Sequence, residues 1–90
     1  MRDRYLEVTF RAGKMLAAYL YLPRNTGDRS ASVRKAGPGL LVDLTTDGRP
    51  IGIEIAMPNA VKLEQVNAAL ALYGLPPVAS ADLAPLQPTA

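Results

Sequence analysis

Ninety residues, 49% apolar and 20% charged, describe one small globular domain, too short for two and too apolar for a disordered chain. The chain has no cysteine and no histidine, which excludes disulfides, thiolate nucleophiles, soft-metal sites and the commonest general base near neutral pH. Net charge is only +2, yet residues 1–35 carry eight cations against three acids, and residues 36–90 carry two against five. Such asymmetry marks either a nucleic-acid face or solvated strand edges and loops.

"YLEVTF" (5–10) alternates in the strand period, with Leu6, Val8 and Phe10 on one side and Tyr5, Glu7 and Thr9 on the other. "RAG" (11–13) reads as a three-residue connection that uses Gly13 in the left-handed conformation. The second strand, "KMLAAYLYL" (14–22), then pairs Phe10 with Lys14, Val8 with Leu16 and Leu6 with Ala18. This register gathers Leu6, Val8, Phe10, Leu16, Ala18, Leu20 and Leu22 on one face and sets Tyr5 opposite Tyr19 on the other. Strand two is apolar on both sides, the mark of a central strand. "PRNTGDR" (23–29) is a loop, "SASVRKA" (30–36) a polar edge strand, and "GPG" (37–39) ends it.

"LLVDLTTDGRPIGIEI" (40–55) reads as a hairpin about Asp47-Gly48, a two-residue type I′ turn. Thr46 then faces Arg49, Leu44 faces Ile51, and Val42 faces Ile53. Pro50 falls opposite Thr45, in a pair that needs no N–H. Ile51, Ile53 and Ile55 thereby join Leu40, Val42 and Leu44 on one face. Asn59 is placed to cap a helix over 60–74, ended by Gly74 with Pro76 and Pro77 beyond. Its stripe is Leu63, Val66, Leu70 and Tyr73. Residues 75–90 hold four of the eight prolines and show no period, so they read as a Pro/Ala-rich flexible tail. The expected fold is a single α+β domain over 1–74, a four- or five-stranded, mostly antiparallel sheet packed on one C-terminal helix.

The candidate reactive groups are few. In the hairpin register Asp43 and Glu54 share the face away from the helix as diagonal neighbours, about 7–8 Å apart at the backbone. Acid–base chemistry there would need a cleft, and a Ca²⁺ site would need more oxygen ligands than two strand carboxylates supply. Asp47 is a turn residue. Ser30, Ser32 and Ser80 have no histidine to activate them, and Lys14, Lys35 and Lys62 show no surroundings in the sequence that mark an activated nucleophile. "GPG" lacks the Lys-Ser/Thr and helix of a phosphate loop. No catalytic, metal or cofactor residue is assigned.

The outer face is more informative. Tyr5, Met15, Ala17, Tyr19, Tyr21 and Leu41, with Asp43 and Glu54, form a patch that one helix cannot cover if it lies on the other side. Aromatics and Met inside a polar rim have the composition of a protein interface.

"AAYLYLP" followed by "LLVDLTTDGRPIGIEI" resembles a small prokaryotic family catalogued as domain of unknown function 2283. Its members pair an Asp-Ala-Leu-Tyr-like strand with a Val-Asp-Tyr-Asp-x-x-Gly-x-x-x-Gly-Ile-Glu hairpin. The resemblance spans roughly residues 5 to 65, with Tyr19, Asp43, Gly48, Gly52, Ile53 and Glu54 on the pattern. Leu16 and Thr45 stand where the family commonly has aspartate. The resemblance implies an antiparallel sheet packed on a helix. It also implies an antitoxin-like role toward a small RelE-like toxin, since some relatives are encoded beside such proteins.

The resulting expectation is a cytoplasmic, non-enzymatic protein-interaction domain that forms a homodimer through the tyrosine face. There is no membrane partner, because no apolar run reaches the about eighteen residues of a membrane span and "MRDRYLEVTF" is charged where a signal peptide is apolar. The alternative is nucleic-acid binding through the basic N-terminal half, whose few exposed aromatics make a poor base-stacking platform.

Overall fold

The structure, a computed structural model, describes residues 4–86. Five strands, β1 (Tyr5–Arg11), β2 (Lys14–Tyr21), β3 (Ser32–Lys35), β4 (Leu40–Leu44) and β5 (Pro50–Ile55), form one antiparallel sheet in the order β1-β2-β5-β4-β3. The polar β3 is an edge, as expected, and β2 is flanked on both sides. Helix α1 (Leu63–Ala71) and a kinked 3₁₀ segment (Ser80–Leu86) pack on a single face. The fold is α+β. None of the described helices is long and apolar enough to cross a membrane.

Strand alternation builds the core. Ala18, Leu20, Leu22, Leu40, Val42, Leu44, Ile53 and Ile55 point to the inner face and pack on Val66, Ala69 and Leu70 of α1. Each buried leucine, isoleucine or valine among them contributes about 1.5–3 kcal/mol. Ile51 is buried but lies outside this contiguous cluster.

The first hairpin departs from its expected register. It turns on two residues, Ala12 (φ 53°) and Gly13 (φ 78°), with Arg11 opposite Lys14. Leu16 bulges out of the ladder, and beyond it Leu6 faces Leu20 and Tyr5 faces Tyr21, not Tyr19. The slip is even-numbered, so the inner-face residues keep their side. Near the turn the bulge reverses the alternation, and Met15, expected on the outer face, packs against the core instead. Phe10 and Leu16 are 59% and 49% exposed rather than core, because β5 pairs with β2 only as far as Ala18 and leaves the tip projecting.

The second hairpin keeps its register from Leu40–Ile55 to Asp43–Gly52 and loses it at the turn. Gly48 takes φ 86° while Asp47 does not enter the left-handed region. The Gly48 N–H donates to the Thr45 carbonyl (2.9 Å), and the Thr45 N–H donates to the Arg49 carbonyl (2.9 Å). This is a three-residue loop with a glycine bulge, not the two-residue turn. Leu44 therefore faces Pro50, and the expected Thr46–Arg49, Leu44–Ile51 and Thr45–Pro50 pairs do not form. The Thr45 hydroxyl is the reason. It donates to the Asp47 carboxylate and accepts the Arg49 N–H (3.0 Å), a local network that outcompetes the type I′ geometry.

Asn59 is not the helix cap. It sits in a turn closed by the Ala60 N–H on the Met57 carbonyl (3.0 Å), with Pro58 at the position a turn prefers. The helix starts after Lys62, whose N–H is taken by the Gln65 side chain (2.8 Å). Its last helical residue is Ala71, short of the expected 74, and the chain leaves through Gly74 (φ 70°), where the Leu75 N–H reaches the Leu70 carbonyl (3.0 Å) in a Schellman arrangement.

The expected flexible tail is, over residues 75–86, part of the domain. Val78, Leu83 and Leu86 are buried in the core. Asn67 holds this stretch by accepting the Val78 N–H (2.8 Å) and donating to its carbonyl (3.3 Å). Arg4 donates to the carbonyls of Pro76 (2.6 Å) and Pro77 (3.2 Å). Residues 87–90 of the expected tail lie outside the described residues.

Candidate interaction face

Cross-strand pairing arranges the outer face in two rows. In sheet order, one row is Tyr5, Tyr21, Gly52, Asp43 and Val33, and the other is Glu7, Tyr19, Glu54, Leu41 and Lys35. Ala17 lies on the same face beyond Tyr19, opposite Thr9. Of the expected face only Met15 is missing.

The tyrosines are organised by hydrogen bonds that the sequence does not reveal. The Tyr19 side chain leans across Gly52 and donates its hydroxyl to Asp43 Oδ2 (2.6 Å). A Cβ at Gly52 would collide with the Tyr19 hydroxyl and ring, so glycine is needed here for space and not for its backbone freedom. Tyr21 donates to Glu7 Oε1 (3.1 Å). Tyr5 stacks on Tyr21 at 4.4 Å between centroids, and Tyr19 meets Tyr21 edge-on at 4.7 Å. Arg24 lies over the Tyr21 ring at 5.4 Å and donates to the Ile51 carbonyl.

Burial, with the Asp43 carboxylate adding to it, pushes the Tyr19 hydroxyl well above its ordinary 10.0, and Arg24 opposes in part. Tyr21 is raised too, first by its bond to Glu7. Both rings are neutral donors at neutral pH, suited to holding a surface in place rather than to accepting protons. Asp43 and Glu54 sit diagonally, as the register requires, but the partner of Asp43 is a tyrosine.

A second polar cluster closes the far end of the sheet. Arg49 grips Asp28 with two nitrogens (2.8 and 3.1 Å) and Asp47 with a third (3.0 Å). The guanidinium holds the Asp28 carboxyl below the usual range, and the Thr45 hydroxyl followed by Arg49 does the same for Asp47. This pins the long β2–β3 loop to the β4–β5 turn. An open hollow of about 310 Å³ lies by Arg4, Leu6 and Asp82. Among the described residues no three His, Cys, Asp or Glu side chains gather as a metal site.

Among the described residues the cations do not gather on one surface. Arg11 and Lys14 flank the β1–β2 turn, Arg34 and Lys35 sit on the opposite edge strand, and Arg4, Arg24 and Arg49 are engaged within the chain. No family model matches this chain, and no curated protein or solved structure matches it either.

Proposed function

We propose that the chain is a non-enzymatic interaction domain that associates with a second copy through its outer sheet face. One observation carries the reading. The inner face is sealed by α1 and the 3₁₀ segment, while among the described residues no element covers the outer one, which still presents Tyr5 at 51% and Val33 at 53% exposure. Tyrosines already fixed by hydrogen bonds lose little side-chain entropy on contact, which favours association. A two-fold pairing of identical faces is the commonest way to bury such a surface. Nucleic-acid binding is the weaker reading, because cations split between opposite edges cannot track one phosphate backbone.

The likeness to domain of unknown function 2283 belongs to this proposal. Tyr19, Asp43 and Gly52 form one bonded unit, so their joint presence in the pattern has a structural reason that needs no reaction. Sedimentation equilibrium tests the reading. Wild type has a dimer mass, and Tyr5→Lys with Val33→Lys, both at exposed positions, gives a folded monomer because four like charges then meet across the contact. A wild type that stays monomeric at high concentration rejects self-association and leaves a foreign partner, such as a RelE-like toxin, as the interaction to seek.

A further inference from the structure

The outer face is not uniform from edge to edge. β1, one edge, carries Glu7 and Tyr5, and β3, the other, carries Lys35 and Val33 in the same two rows. β5 is the middle strand, with Gly52 in one row and Glu54 in the other. A half-turn about an axis along β5, in the plane of contact, brings β1 over β3 and β2 over β4. A half-turn about an axis across the strands brings each strand over itself, setting Glu7 near Glu7 and Lys35 near Lys35. Charge separates the two arrangements, since edges of like charge lie over each other in the second and edges of opposite charge in the first.

Resting on the self-association reading, we propose that two copies stack outer face to outer face about a two-fold axis along β5, with Glu7 meeting the partner's Lys35, Tyr5 the partner's Val33, and Tyr19 the partner's Leu41. The product is a ten-stranded sandwich with both helices outside. The contacts pair unlike groups throughout the rim, and each occurs twice. Tyr5 and Val33 are both about half exposed in the single chain, so each supplies the apolar cover the other lacks. Tyr21 donates to Glu7 from within the chain (3.1 Å), which restrains the carboxylate and leaves its other oxygen for a cation. Sheets packed about 10 Å apart with about 30° between them shift the rows at the edges, and long Glu and Lys side chains span that offset. The one unfavourable contact is Glu54 with the partner's Glu54 beside the axis.

The test is a pair of charge-reversed chains. Glu7→Lys and Lys35→Glu each create two like-charge contacts and weaken the dimer by about tenfold or more. Mixed one to one, the two variants regain both pairs and form a heterodimer near wild-type affinity, read by native mass spectrometry. Within one chain the two positions stand four strand spacings apart, about 19 Å, so the rescue is intermolecular. Carbodiimide coupling of the wild type, which needs no variant to fold, joins Glu7 to Lys35 and yields that cross-linked peptide from the dimer band. A mixture that stays monomeric, or a dimer lacking that peptide, overturns this arrangement while the interface reading stands. A monomeric wild type overturns both.

Discussion

The two faces of the sheet share five strands and one alternation, yet different chemistry holds them. The inner face is aliphatic, and Leu40, Val42, Ile53 and Ile55 are essentially sealed under α1 and the 3₁₀ segment. The outer face is aromatic and acidic, held by hydroxyl-to-carboxylate bonds and ring stacking, and left open. Burial stabilises the first without directional bonds. The second keeps its shape through directional bonds with little burial. Each central strand thus turns one set of alternate residues to the core and the other to the hydrogen-bonded outer face.

Substitutions can break this contrast. The largest effect belongs to the inner face: Ile53→Ala removes a fully buried side chain and costs about 2–5 kcal/mol in urea unfolding. Gly52→Val comes next. Its side chain collides with Tyr19, and a loss of about 1–3 kcal/mol is expected, with the Tyr19–Asp43 bond broken. If Gly52→Val unfolds at the wild-type urea midpoint, Tyr19 does not cross that strand.

Smaller effects sharpen the contrast. Tyr19→Phe deletes one hydroxyl bonded to a carboxylate and costs about 1–2 kcal/mol. Its pH dependence is more telling. Tyr19 holds its proton more tightly folded than unfolded, so its contribution is complete below pH 10.0 and falls as pH rises above that value toward the folded pKa. Wild type therefore loses stability faster than Tyr19→Phe above that pH in parallel thermal melts, and identical slopes would contradict the burial of this hydroxyl. Glu54→Gln has the smallest effect on folding, within about 0.5 kcal/mol, but it removes the like-charge contact beside the axis. It tightens the dimer by severalfold in a dilution series. A weaker dimer would show that Glu54 does not face its counterpart.

Much of the fold was legible because it depends on parity. Period-two alternation assigned Leu6, Ala18, Leu20, Val42 and Ile53 to one face even where the register slipped, since a slip of two residues preserves sides. Turn chemistry was less legible. The Thr45 hydroxyl and the left-handed Ala12 each changed a turn type, and nothing in residue order distinguishes these local networks from the commoner alternatives. Proline content concealed the ordered tail, whose signal was the apolar set Val78, Leu83 and Leu86 together with Asn67 on the helix. The outer face was readable as a list of residues but not as a bonded unit. Leaning Tyr19 over Gly52 onto Asp43 requires knowing that β5 lies between β2 and β4, and strand order does not follow from strand pattern.

The central claim, that the outer faces of two copies pack on each other, is tested most directly by magnetic resonance on the wild-type protein. In a sample mixing ¹³C-labelled with unlabelled chains, filtered spectra report only contacts between molecules. Tyr5 and Val33 lie at opposite edges of one sheet, about 19 Å apart, too far for a contact within the chain. The account predicts cross-peaks between the Tyr5 ring and the Val33 methyl groups. A dimeric sample showing none of these, with its intermolecular peaks arising instead from Phe10 and Leu16 at the hairpin tip, would contradict it.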